Sequence, residues 1–344
     1  MPPVERAGPA GETSIENAMT VWESIASLAR LAPTPHNTQP FRILPRDDET
    51  ADLIALTDRF LPQEDHGNLY VSSAFGIFSA TLERAARHFG YVLTVVPTRG
   101  IDPSEITKTP HATLGVATIT NTCDPEPQFP LLDARRTSRL PYEDRAVSFD
   151  ALTAFTRVAA EYGHRFLSYD DPSIVKPLLR LNAEAIIDNL QLDNEREEIR
   201  GWYRIGRTPE FGDGLWQKPM NQPGWELRAA FLAPNAFQLP GLRQFAVHRY
   251  LLTQRGTRHI ALICGAFKTW PQLNRAGRML MDLWLEMARD DVYMQPMGSM
   301  LTNPKYAAEI ARRFGVDDCW LVLRLGYSDP PPRAPRLESI LITS

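Results

Sequence analysis

Ala32-Pro33-Thr34-Pro35-His36-Asn37-Thr38-Gln39-Pro40-Phe41 lies between an amphipathic helical pattern and a short strand pattern. Its prolines fix φ and withhold N–H donors, so neither helix nor central strand runs through it. Thr, His, Asn, Thr and Gln between them favour turn geometry and leave amide and backbone groups available for hydrogen bonds. Such a rigid turn suits a flat, polar heterocycle. It also suits a plain proline-bracketed helix stop, and the ten residues alone leave both readings open.

Outward from the turn, the pattern alternates short strands with long helices. Ser14 is placed to cap a helix with Ala18, Trp22, Ile25 and Ala29 on one face,. Strands are expected at 41–45, 52–57, 91–96 and 112–118. A buried helix is expected at 72–89, where Phe75, Phe78, Leu82, Ala85 and Phe89 recur at helical spacing and Gly90 follows,. Residues 1–13 read as a mobile leader, 14–120 as a first α+β half and 121–134, with Pro125, Pro127 and Pro130, as a linker,. A second half spans 135–328. It holds helices at 149–162, 172–202, 273–288 and 303–314, strands at 165–167, 258–264 and 319–326, and an irregular, aromatic, Gly/Pro-rich insert at 201–240. Residues 329–344 form a proline-rich arm.

Two basic groups stand out in the second half. Arg135, Arg136, Thr137, Ser138 and Arg139 place three guanidinium groups and two hydroxyls within five residues. Guanidinium pairs two-pronged with phosphate oxygens, and hydroxyls add short hydrogen bonds, so the group fits a phosphate monoester as well as a solvated basic patch. The arm contributes Arg333 and Arg336 just after the apolar run 321–325 and Gly326.

Taken together these segments resemble the flavin-dependent nitroreductases. Residues 32–41 are similar to that family's A-P-S-x-x-N-x-Q-P-W signature, with Phe41 in the Trp position. Arg135–Tyr142 resembles its R-R-S-x-R-x-[FY] phosphate motif, and 321–336 its closing strand and basic arm. The resemblance implies an α+β nitroreductase-like fold and FMN as cofactor. It implies that Arg135, Arg136, Thr137, Arg139, Arg333 and Arg336 neutralise the phosphate. Pro33, Thr34 and Pro35 would then pack on the ring, with Asn37 and Gln39 bonding the ribityl chain or ring edge. Pro296, Met297 and Gly298 are the nearest match to a loop that meets flavin N5, one residue short and with no carboxylate before the glycine. The family is a two-fold dimer sharing each flavin between subunits. Here the turn is in one half and the arginines in the other, which implies a fused pseudo-dimer with one composite site, like a dormancy-linked actinobacterial subfamily. Such a chain would be a monomer or a weak homodimer. The implied activity is NAD(P)H-dependent reduction of nitro or quinone acceptors. A flavin-sequestering protein, with the insert as a lid carrying Trp202, Tyr203, Trp216 and Trp225, is the alternative.

Composition narrows the field. The 344-residue chain is 43% hydrophobic and 23% charged, with net charge −4, ample for two core-bearing units and without the basic balance of a nucleic-acid binder. Cys123, Cys264 and Cys319 are widely spaced, and with no C-x-x-C or H-E-x-x-H they suggest neither a metal site nor a disulfide framework,. No G-x-G-x-x-G is present, so dinucleotide is not expected to bind as in a Rossmann fold. No stretch has the length of a membrane span, and a cytoplasmic protein is expected.

Overall fold

The computed structural model describes residues 19–206 and 212–342. Helix α1 (Val21–Ala29) opens on a capping box: Glu23 N–H donates to Thr20 Oγ1, and Thr20 N–H to the Glu23 carboxylate,. Ser14 and Ala18 lie outside the described residues, and the cap in the structure is Thr20. Strands β1 (Phe41–Pro45) and β2 (Thr50–Leu56), helix α2 (Leu69–His88) and strands β3 (Tyr91–Pro97) and β4 (His111–Thr122) follow. They form an antiparallel sheet of order β1-β2-β4-β3.

Within the expected linker lies a short helix, α3 (Phe129–Ala134). Next come α4 (Phe149–Glu161), β5 (Arg165–Tyr169), α5 (Pro172–Asn189) and α6 (Asp193–Trp202), then β6 (Tyr203–Arg204), β7 (Leu215–Trp216), α7 (Gln217–Met220), α8 (Gly224–Leu232) and α9 (Pro240–Thr253). The chain continues through β8 (His259–Cys264), α10 (Trp270–Arg289), β9 (Tyr293–Pro296), α11 (Ser299–Thr302), α12 (Pro304–Phe314) and β10 (Cys319–Gly326). The second sheet, also antiparallel, has order β5-β8-β10-β9. Set β5, β8, β9 and β10 against β1, β2, β3 and β4 and the two orders are identical, each with a long helix between its second and third strands.

Those two helices, α2 and α10, have 20 residues each and touch backbone to backbone. A Cβ on Gly277 would stand 1.8 Å from Ser73 O, and one on Gly76 would stand 2.1 Å from Asn274 O. The contact is reciprocal, each glycine meeting the residue three positions before the other. Ion pairs Arg278–Glu83 at 2.7 Å and Arg84–Asp282 at 2.5 Å fix the crossing farther along. The cores interlock here. Trp270 stacks on Phe75 inside the first core, while Ile77 and Ala80 belong to the second. After β10 the arm crosses to the first sheet. Ile43 N donates to Ile340 O and Ile342 N to Ile43 O, both at 2.9 Å, with Leu341 paired parallel to Ile43. Ile340 is buried in the first core.

Two sequence expectations are corrected. The helical pattern 172–202 breaks at residues 190–192 into α5 and α6. The insert is largely helical where described, because Pro223 precedes α8 and Pro240 opens α9; proline at a first turn starts a helix and does not break it.

Candidate functional site

Turn 33–39 carries three non-glycine residues in left-handed backbone, His36, Asn37 and Gln39, with φ of 49°, 55° and 49°. Each costs roughly 1–2 kcal/mol, which the surroundings must offset. Gln39 N–H donates to Thr34 Oγ1 at 2.9 Å, and Arg59 Nη1 to Thr38 O at 2.5 Å.

The insert and the arm close over this turn. Gly214 N donates to Asn37 O at 3.0 Å. Asn37 Nδ2 donates to Gly214 O and Pro335 O, and Arg336 Nη1 to Asn37 Oδ1 at 2.8 Å. Gln39 Nε2 donates to Gly212 O at 2.8 Å, while its Oε1 accepts from Leu337 N at 3.0 Å. Both amides are buried and bonded within the protein. Asp213 pairs with Arg59 at 3.1 Å and Arg204 at 2.8 Å, fastening the insert to the first half.

Beside the turn the arginines converge. Arg135 Nη2 and Arg336 Nη2 both donate to Leu31 O, at 3.1 and 3.4 Å. Arg135 also lies over the Trp284 ring, 4.5 Å from its centre. Burial, then Arg336 and Arg136, push the Arg135 pKa down to about 9. Burial, then Arg30, push that of Arg336 to about 10. Neither makes an ion pair among the described residues, and the Nε of each is buried without an acceptor there. Arg136 differs: it pairs with Asp133 at 3.5 Å and donates to Pro331 O at 3.0 Å, and Arg333 pairs with the same Asp133. Two adjacent cations, one buried and one half-buried, are costly without a carboxylate, and an oxyanion between them would relieve that cost.

The remaining expected residues sit around this group. Thr137 bridges to Met294, and Ser138 N donates to Met294 O at 3.1 Å, so β9 sets the arginine segment against loop 296–298. Pro296 ends β9 opposite Leu323 and Met297 is a core residue. A Cβ on Gly298 would meet nothing within 4 Å, so its backbone borders open space. Arg139 points elsewhere, donating to Pro219 O at 3.3 Å; burial lowers its pKa, while Tyr203 and Tyr250 oppose this. His36 pairs with Glu64 at 2.8 Å. Pro33, Thr34 and Pro35 are half-buried.

Of the four aromatic residues expected to form a lid, Tyr203 and Trp216 lie on the paired strands β6 and β7 beside Trp202. Trp216 is buried, with Nε1 donating to Asp213 O, whereas Trp225 is 70% exposed. Arg30, Asp133 and Trp284 escaped the sequence reading. Arg30 adjoins the turn and Asp133 the arginine segment, but Trp284 reads only as a core position of an amphipathic helix.

No protein-family model and no curated protein matches the chain. Among solved structures, the FMN-dependent nitroreductase NfnB of Mycobacterium smegmatis, in complex with NADPH, is 16% identical. That match covers 60% of this chain and 92% of the other, with TM-score 0.36. A Bacteroides fragilis nitroreductase with bound FMN is 12% identical over 64% and 100%, TM-score 0.37. A BluB-like flavoprotein of Clostridium difficile is 11% identical over 62% and 94%, TM-score 0.39. At TM-scores below 0.5 the likeness is too loose to fix function.

Proposed function

We propose that the chain is an FMN-binding oxidoreductase of nitroreductase type, a fused pseudo-dimer with one composite site. The observation that carries this reading is the Arg135–Arg336 pair, one guanidinium buried and one half-buried, sharing one carbonyl, with no carboxylate partner among the described residues. A phosphate monoester supplies the missing charge. Arg135, Arg136, Thr137, Arg333 and Arg336 would hold it, and Pro33, Thr34 and Pro35 would flank the ring. Asn37 and Gln39, committed to the insert and the arm, would hold the turn in shape. Loop 296–298 would offer backbone at the ring edge, and Arg139 its charge on the far side. FMN would bring two-electron chemistry between NAD(P)H and a nitro or quinone acceptor. The repeated strand order and the reciprocal glycine crossing support the pseudo-dimer, with residues 14–120 and 135–328 as its halves.

The experiment is release of flavin by denaturation, its chromatography and its stoichiometry against protein. One FMN per chain is expected. Two per chain, FAD, or no uptake on reconstitution would overturn the reading. The flavin-sequestering alternative is favoured by the direct bonds from Gly212 and Gly214 to the turn, since a segment tied there obstructs approach of a second ring. Anaerobic stopped-flow reduction by NADPH separates the two, and an unreduced flavin would leave storage standing.

A further inference from the structure

Cys264 ends β8 and Cys319 begins β10, and the two stand opposite each other in the antiparallel register. Gly265 N donates to Asp318 O at 3.0 Å, which makes the cysteines a non-hydrogen-bonded pair. In such pairs the Cα atoms lie about 4.5 Å apart and the side chains are closest. A disulfide spans Cα separations of about 4.4–6.8 Å. Both side chains pack on the same face, with Leu262 and Val322. Both thiols are free, Cys264 buried and Cys319 partly exposed, and Cys319 Sγ donates to Leu321 O at 3.8 Å.

We propose that Cys264 and Cys319 form a reversible thiol–disulfide site, oxidised by hydrogen peroxide. Cys319, partly exposed where Cys264 is buried, is the thiol a peroxide reaches first. Its Cys264 neighbour and burial push its pKa up, so oxidation quickens as pH rises,. The Cys319 thiolate attacks the peroxide, breaking the O–O bond to give a sulfenic acid and hydroxide, which takes up the proton lost from the pair. The Cys264 sulfur then attacks Cys319, forming the S–S bond and expelling the sulfenic oxygen as water. Two thiols are oxidised by two electrons and one peroxide is reduced to two waters. The bond encloses α10, β9, α11 and α12, a loop of roughly 55 residues, and so restricts the unfolded chain. Cys123, in the linker and partly exposed, is the internal control.

The full chain is treated with hydrogen peroxide, alkylated, digested without reductant and analysed by mass spectrometry. The expected result is a linked peptide pair holding Cys264 and Cys319, lighter by two hydrogens and separated by dithiothreitol. A rise in Tm of roughly 5–10 °C should accompany it. Cys319→Ser should abolish both effects, while Cys264→Ala should accumulate a dimedone-trapped sulfenic acid at Cys319. Linkage through Cys123 would overturn the proposal, as would Cys319 carried to sulfinic acid while Cys264 is still alkylated after unfolding. If the variants fail to fold, the alkylation pattern of the unsubstituted protein decides alone.

Discussion

Arg135 and Arg336 should respond in opposite ways with and without an anion. Removing one of two adjacent unneutralised charges relieves repulsion, so Arg135→Met should leave thermal stability of the ligand-free chain unchanged or higher. The same substitution removes a charge-assisted bond to phosphate worth about 1.5–3 kcal/mol, so FMN should bind ten- to a hundredfold more weakly. Riboflavin, lacking phosphate, should bind unchanged, and equal loss of both ligands in fluorescence titrations would mark the arginine as structural. Arg136→Ala should cost less, because Asp133 already shares its charge. Near the turn, burial lowers the His36 pKa, but its pairing with Glu64 outweighs this and the net shift is upward. Burial pushes Asp65 and Glu195 up to about 7. All three bind protons more tightly folded than unfolded, so their contribution is fullest below their unfolded values and is lost as pH rises through the folded ones. Denaturation midpoints should therefore fall as pH rises from about 4 to about 7 through the two carboxyl groups,. They should fall further above the ordinary histidine range through His36, that last part being shallower in His36→Gln,. A flat or rising profile would contradict this.

Helix crossing and insert dominate at the level of elements. Gly277→Ala forces a Cβ onto the Ser73 carbonyl, and overpacking of this kind costs roughly 1–3 kcal/mol or more. Gly298→Ala, with open space around it, should be near neutral, and urea melts of the two variants test the contrast. Shortening the loop between Gly206 and Pro223, with Trp216 removed, takes away the Gly212 and Gly214 partners of Gln39 and Asn37 and leaves those from the arm. Flavin retention should fall while reduction by NADPH speeds up; no change in either would mean that the insert is not a lid. Much at this level was legible in the sequence. Strands 41–45 and 319–326 and helix 149–162 follow from apolar periodicity, as does the core face of α10. The fate of Asn37 and Gln39 was not legible, since their partners lie at 212–214 and 335–337 and no local pattern encodes so remote a pairing. Strand β9 was missed because four residues are too few for a period, and α9 because Pro240 and Gly241 at its start read as breakers.

At the scale of the molecule, neither half closes its core alone. Ile340 fills the first core from the far end of the chain, and the arm covers the edge of β1. Ile340→Ala should cost about 2–5 kcal/mol. A chain ending at Asp329 should lose FMN affinity with Arg336 and expose a strand edge that invites association. Size-exclusion chromatography with flavin titration checks both. A monodisperse truncated chain that binds FMN normally would show that the arm is an accessory to the site and not part of it.

That arm also fixes when the site comes into being during synthesis. Gln39 leaves the ribosome early, yet its side chain waits for the N–H of Leu337, separated from it by 298 positions. At about 5–20 residues per second, translation imposes a delay of some 15–60 seconds between the two. Throughout that interval the strained turn has no arm to hold it, and Arg135 has no Arg336 beside it. Assembly of this cluster is thus a late event, and a ribosome that stalls before codon 336 releases a polypeptide without the arm's bonds to Asn37 and Gln39.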